Sequence, residues 1–575
     1  MHMHRFQVVL TAWLSTCSVA LAAPMLRDAN LSVTEIVSGL TLPTTMAFIG
    51  VDDILVLQKN NGMVRRVIAG VLQPGAVLDV DVDNSSERGM LGIVVHPNFP
   101  TSPFVYLYYT ESSTSGDSSG SAAANRVYRY TWNGAALTNP VLIVDLPASP
   151  GPNHDGGIIT FGPDGKLYIV IGDLNRNGQL QNFSGGPAPD DTSVILRLNA
   201  DGSVPSDNPF FSQGGNLAKY YAYGIRNSFG LAFDPLTDEL WMTENGPDSF
   251  DEINLVEPGF NSGWEKLMGP DSRNSNNVTD LFTIAGSHYA DPKFSWLNVV
   301  GPTAIVFLDS TSLGSQYEND AFVGDINNGN LYRFKLNGTR NGFIFSGAGL
   351  VDLVADNNAE LDETIIGTGF SGITDLKIGP DGSLYVVSFG DGKIYAISSG
   401  GALPPLSFGV ATLPAAEVGV AYNANLNING GSPPYNVSLA TGVLPPGLNL
   451  LSGSIAGTLT SVKGSRFTLR ATDNLGASRT QRFRIAAVGA VNIGNQSLPT
   501  GRVGRSYSAR LVGRSGKKPF TWSLAAGSLP SGLSLDATTG RITGTPTAAG
   551  DTNLTFGVTD TLGGVAQKTL TLSIK

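Results

Sequence analysis

Phe161-Gly-Pro-Asp-Gly-Lys-Leu-Tyr-Ile-Val170 returns almost unchanged as Ile378-Gly-Pro-Asp-Gly-Ser-Leu-Tyr-Val-Val387. Each copy is a polar turn feeding an apolar strand. Pro presets φ, and Gly accepts the positive φ that closes such a turn. Working outward, the same plan appears in Phe48-Ile-Gly-Val-Asp-Asp-Ile-Leu-Val-Leu57, Gly92-Ile-Val-Val-His-Pro97 and Phe233-Asp-Pro-Leu-Thr-Asp-Glu-Leu-Trp-Met242. A further copy starts at Ile305-Val-Phe-Leu308 and continues in Ala321-Phe-Val-Gly-Asp325. Six copies, each with room for a four-stranded sheet, predict a six-bladed β-propeller over residues 30–400. Radial closure leaves so β-rich a chain few open strand edges.

Composition agrees with an all-β reading. The 575 residues exceed one hydrophobic core, so several domains are expected. Gly 70 and Pro 33 are high counts beside 41% hydrophobic residues, a mix that fits short strands and tight turns rather than disorder. The net charge of −11, with no basic run, argues against a nucleic-acid partner. Residues 1–22 read as a signal peptide: Arg5, the apolar run Phe6 to Leu14, then Ala20-Leu21-Ala22 as cleavage pattern. The apolar run is too short to span a bilayer. Cleavage would remove Cys17, the only cysteine, and with it any disulfide or cysteine-bound metal. The expected compartment is the periplasm or the medium.

Beyond Leu403-Pro-Pro-Leu406 the pattern changes, and two similar segments follow. Leu444-Pro-Pro-Gly-Leu448, Ile455-Ala-Gly-Thr458 and Ala471-Thr-Asp-Asn-Leu-Gly476 are matched by Leu529-Pro-Ser-Gly-Leu533, Ile542-Thr-Gly-Thr545 and Val558-Thr-Asp-Thr-Leu-Gly563. Equal order and spacing mean duplication. Alternating strands at this size predict two β-sandwiches, residues 408–490 and 493–575. They resemble the Ig-like modules appended to many bacterial secreted proteins. They read either as spacers or as attachment to a surface or a polysaccharide.

Without the leader three histidines remain: His96, His154 and His288. His154 lies in a Gly-flanked loop, and Asp173 stands at the far end of the strand that the loop feeds. An imidazole at a propeller mouth can take a proton from a hydroxyl if a carboxylate orients it. The other reading is a hydrogen-bonded loop histidine. Arg226 and Asn227 precede a blade strand, where a guanidinium can clamp an anion. Gly246 and Pro247 sit in an irregular, oxygen-rich loop that suits Ca²⁺, or that is a plain turn with solvated acids.

Taken in order, these segments resemble the soluble quinoprotein glucose and sorbosone dehydrogenase family, the aldose sugar dehydrogenases. The likeness rests on Glu87-Arg-Gly-Met-Leu-Gly-Ile-Val-Val-His-Pro97, His154, Gly172-Asp173 and Gly224-Ile-Arg-Asn-Ser-Phe-Gly-Leu-Ala-Phe-Asp-Pro235. It continues in Glu244-Asn-Gly-Pro-Asp248, Asp251-Glu-Ile-Asn-Leu255, Asn261-Ser-Gly-Trp264 and Phe322-Val-Gly-Asp-Ile326. The last of these segments is Thr374-Asp-Leu-Lys-Ile-Gly-Pro-Asp-Gly382. The resemblance implies oxidation of an aldose's anomeric hydroxyl to a lactone, with pyrroloquinoline quinone (PQQ) as cofactor and Ca²⁺ beside it. It implies His154 as base, Asp173 as its orienter and Arg226 over the cofactor with Asn227 beside it. Gly246 and Pro247 would give carbonyls to Ca²⁺, and Glu87 would stand at the cofactor rim, where the family often has glutamine. Family members carry a lysine and two arginines that bind the cofactor carboxylates. Here the matching positions are Asn327, Gly372 and Thr374, and Ile158 replaces a further arginine. That departure keeps two other readings open: a cofactor-free propeller that recognises carbohydrate or protein, and a Ca²⁺-dependent lactonase-type hydrolase. The sugar and the electron acceptor are not legible.

Overall fold

The computed structural model describes residues 23–399, 405–431, 435–451, 453–473 and 476–575, so the signal peptide expected over residues 1–22 lies outside the described residues. Among the described residues regular structure is strand, with only short 3₁₀ turns as helix. No helix among them is long and apolar enough to cross a membrane.

Six sheets follow one another along the chain to Ser399. Their innermost strands are Pro43–Gly50, Met90–Val95, Ile159–Phe161, Gly230–Phe233, Pro302–Phe307 and Ile373–Ile378. Each inner strand lies against the next, and the sixth lies against the first. This is the six-bladed propeller. Its last blade borrows a strand from the start of the chain: Leu31–Val37 runs antiparallel to Lys393–Ser399, with Leu31 opposite Ser399 and Val33 opposite Ile397. A two-residue strand, Met25–Leu26, likewise joins the fifth blade through Thr368 and Gly367. Chain start and propeller end are thus tied by main-chain hydrogen bonds, which removes an open edge.

The blades are held apart by apolar layers. Between the fourth and fifth blades Trp241, Phe294, Trp296 and Phe334 are fully buried, and the Phe294 ring sits 4.9 Å from both Trp296 and Phe334. Burying such rings is worth about 4–6 kcal/mol each, before conformational entropy is subtracted. At the closest approach of the second and third inner strands there is no room for a side chain. A Cβ on Gly92 would stand 2.1 Å from the Gly157 carbonyl of the next blade, so only glycine lets these inner strands close in.

Two sandwiches follow. In the first, Ala421–Asn425, Ser454–Thr458 and Leu448–Leu451 form one sheet, and Asn436–Gly442, Ser465–Thr472 and Ser478–Ile485 the other. The second repeats the order with Tyr507–Arg510, Arg541–Gly544 and Leu533–Leu535 facing Thr521–Ala526, Gly550–Thr559 and Val565–Ile574. The first sandwich docks on the propeller rather than trailing from it. Thr311 N–H donates to the Ser478 carbonyl at 2.8 Å, Thr480 N–H to Asp309 at 2.9 Å, and Arg479 pairs with Asp309 at 2.7 Å.

Candidate functional site

A cavity of about 450 Å³ opens where the inner strands end. Residues from all six blades or their connecting loops line it, among them Glu87, His154, Arg226, Asn227, Gly246, Pro247, Asn327 and Thr374. Eight sequence-predicted positions thus meet at one cavity. Asp173 stands behind the wall, where an orienting carboxylate belongs. Gly372 is not on the wall; Ile158, in place of the family's arginine, is.

The half of the cavity that carries His154 is built on the third and fourth blades. His154 adopts φ +64°, a left-handed conformation costing a side-chain-bearing residue about 1–3 kcal/mol. Glu87 holds it there, its Oε2 accepting the His154 N–H at 2.6 Å and Asn227 Nδ2 at 3.0 Å. His154 Nδ1 lies 2.6 Å from Asp173 Oδ1, and the two side chains are 11% and 3% exposed. The carboxylate accepts, so Nδ1 carries the hydrogen of this bond and Nε2 is the ring nitrogen that Asp173 does not engage. Asp173 is fixed in turn: Oδ2 accepts Trp264 Nε1–H at 2.6 Å and Oδ1 accepts Asn175 N–H at 2.6 Å. Arg226 lies over the Trp264 ring, 5.2 Å from its centroid, and donates to the Asn245 carbonyl at 2.8 Å. Burial pulls this guanidinium below its usual value, against nearby Asp173, Glu87 and Glu244.

Three buried polar atoms on this wall have no hydrogen-bond partner among the described residues: Arg226 Nε, Asn227 Oδ1 and Asn245 Oδ1. Orphaned buried polar groups are costly and mark places where a ligand completes the bonding. Next to Asn245, the Gly246 N–H donates to Asp251 Oδ1 at 2.8 Å, while no hydrogen bond from the described residues takes the Gly246 or Pro247 carbonyl. A Cβ at Gly246 would lie 2.3 Å from the Ser249 carbonyl, so the bend requires glycine. One amide oxygen and two carbonyls are hard oxygen donors of the kind Ca²⁺ takes. No group of three or more His, Cys, Asp or Glu suited to a metal occurs among the described residues.

The opposite wall is neutral where cations were sought. Thr374 Oγ1 donates to the Pro43 carbonyl at 2.9 Å, and Asn327 borders the cavity beside Gly301. One cation escaped the sequence reading. Lys59 reaches the cavity and donates to the Ser86 carbonyl at 2.7 Å and Asn60 Oδ1 at 3.1 Å. Burial lowers its pKa, with Glu87, Asp155 and Asp83 pulling the other way. It follows the strand Asp53–Gln58 and belongs to no motif. Trp264, Asn245 and Asp251 were within quoted motifs, but only the fold gave them roles.

The family model for glucose/sorbosone dehydrogenase matches residues 40–396, more than half of the chain. This chain belongs to that family. The putative Ig domain model matches residues 404–488 and 490–575. The aldose sugar dehydrogenase of Escherichia coli is 26% identical over 390 residues, covering 67% of this chain and 96% of that protein. The quinoprotein glucose dehydrogenase B of Acinetobacter calcoaceticus is 33% identical over 264 residues, covering 42% of this chain and 54% of that one. A solved structure titled a putative oxidoreductase (glucose dehydrogenase) from Thermus thermophilus superposes with a TM-score of 0.51 at 28% identity, covering 64% of this chain and 99% of that chain. Family and cavity therefore coincide on the propeller, and the sandwiches lie outside that match.

Proposed function

We propose that this chain is an exported, PQQ- and Ca²⁺-dependent dehydrogenase that oxidises the anomeric hydroxyl of an aldose, or a related alcohol, to a lactone. One observation carries the reading: the 2.6 Å His154–Asp173 pair borders the same cavity as Arg226 and the Asn245–Gly246–Pro247 oxygens. The relatives' names support a sugar substrate and a quinone. When bound, the quinone supplies the two-electron acceptor and Ca²⁺ polarises it.

The chain's own part is base, orientation and charge. With Nδ1–H held by Asp173, His154 accepts the hydroxyl proton at Nε2, and the resulting imidazolium is stabilised by the carboxylate behind it. Arg226, with its guanidinium fixed between Trp264 and the Asn245 carbonyl, meets developing negative charge. Asn227 and Asn245 offer the unpaired oxygens Oδ1, and Lys59 and Arg226 are the cations available to a carboxylate. The sandwiches, outside the cavity, serve either as a spacer or as a contact with a surface or polysaccharide.

Absorbance titration of the mature protein with PQQ and Ca²⁺ tests the reading. Saturable binding is expected, followed by reduction of an artificial acceptor on adding aldoses. No binding at high quinone excess ends it. A second reading, a propeller that recognises carbohydrate without redox chemistry, is favoured by the neutral Asn327–Thr374 wall and would then stand. A lactonase-type hydrolase is less supported. Of the cavity carboxylates, Glu87 is taken by two N–H donors, Asp251 by Gly246, Val300 and Gly301, and Asp375 by Thr45, Met46 and Lys377.

A further inference from the structure

The sequence has no basic run, yet the fold assembles a basic groove that shares no wall residue with the cavity. Strands Ser465–Thr472 and Ser478–Ile485 of the first sandwich pair antiparallel, with Arg466 directly opposite Arg484. Like charges so opposed cost a sheet some tenths to about 1 kcal/mol. Among the described residues neither guanidinium has a hydrogen bond or ion pair to relieve it. Arg482 shares the face of Arg484, two residues away, and is anchored to Asp238 and, at 2.9 Å, to the Pro235 carbonyl. Lys517 arrives from the second sandwich, its ammonium also unpaired. A carboxylate near Arg466, that of Asp164, is already held at 2.8 Å by Arg197.

These side chains line a cleft of about 880 Å³ between the first sandwich, Lys517 and two propeller turns. A cleft of that size holds a ligand or a short chain segment rather than a globular partner. The rest of its wall includes Pro97, Pro163, Leu413 and Pro414, flat apolar surfaces that suit the C–H faces of sugar rings. A planar carboxylate matches the guanidinium fork.

We infer that this groove binds an acidic polysaccharide, a glycan chain whose rings carry uronate carboxylates, and so seats the propeller on that matrix. Nucleic acid is the poorer fit. Its affinity grows with the number of phosphates neutralised, and single strands also need stacking platforms. Here three cations are unpaired in a chain of net charge −11, and Phe483 in the wall is itself buried. The groove lies outside the central cavity, so this inference does not depend on the quinone.

Isothermal titration of the full mature chain with oligogalacturonates provides the test. Saturable binding is expected, weakening with added salt and falling at least tenfold in Arg466→Gln/Arg484→Gln. Both arginines are exposed, so the variant's circular dichroism should match the parent's, and its quinone titration should be unchanged. Absence of oligogalacturonate binding overturns the inference, as does equal affinity in the double variant. Single-stranded DNA of equal charge binding as tightly through the same arginines would also overturn it, making the groove a phosphate site.

Discussion

The two walls of the central cavity are built on different principles. On the third and fourth blades every reactive group is fixed by another: Glu87 holds the His154 backbone, Asp173 its ring, Trp264 holds Asp173, and Asn245 holds Arg226. On the fifth and sixth blades Asn327 and Thr374 present neutral atoms, and the Thr374 hydroxyl proton is spent on Pro43. The difference teaches that, on the proposed function, proton removal and grip on the cofactor would rest on separate walls. Geometry for proton removal survives intact on one side, while the charges that would grip a tricarboxylate are reduced to Arg226 and Lys59.

The sharpest way to break the comparison is on the first wall. His154→Ala removes the base and should lower turnover by about 10²–10⁴-fold at saturating PQQ, with circular dichroism unchanged. Turnover within a few-fold of the parent would place the base elsewhere and dissolve the distinction between the walls.

The second wall offers the next largest effect. Asn327→Lys with Thr374→Arg restores two cations facing the cavity. A charged hydrogen bond is worth about 1.5–3 kcal/mol, so the quinone's Kd should fall by about tenfold or more per residue. Turnover at saturation should hardly move, since neither residue touches the base. A Kd that does not fall would mean that the cofactor's carboxylates point away from this wall.

What the sequence made legible follows the range of the forces involved. Blades announce themselves because Pro-Asp-Gly turns and alternating strands are local signals. His154, Arg226 and Gly246 were legible because each sits in a Gly-bearing loop whose chemistry is unusual for its position. Lys59 was not, because its approach to the cavity depends on where one strand end falls against the Glu87 loop of the next blade. The pairing of Leu31–Val37 with Lys393–Ser399 was hidden for the same reason: only ring closure brings them together. The basic groove joins two strands of one sandwich to a loop of the next, and no linear pattern joins them.

The smallest expected effect probes what the first wall rests on. Behind Arg226, Glu244 and Glu252 are directly paired across two strands and are 0% and 2% exposed. Glu244 accepts the Arg226 N–H at 2.6 Å and also the Ser262 hydroxyl, while Glu252 accepts Gly269 N–H at 2.5 Å and Asn254 Nδ2 at 2.8 Å. Burial pushes Glu244 up to about 7, and burial with the facing Glu244 charge pushes Glu252 well above its ordinary range. A carboxyl whose folded pKa is raised binds its proton more tightly folded than unfolded. Its contribution to stability is therefore complete below about pH 4.5 and is lost as pH rises through about 7 and beyond. The propeller's melting temperature should fall by a few degrees between pH 5 and pH 8. Glu252→Gln, neutral at every pH and similar in shape, should flatten that fall by removing the more strongly shifted group. Differential scanning calorimetry of the two proteins decides it. Equal slopes would mean that the pair carries no shared proton, and that the wall behind Arg226 is as indifferent to pH as the neutral wall opposite.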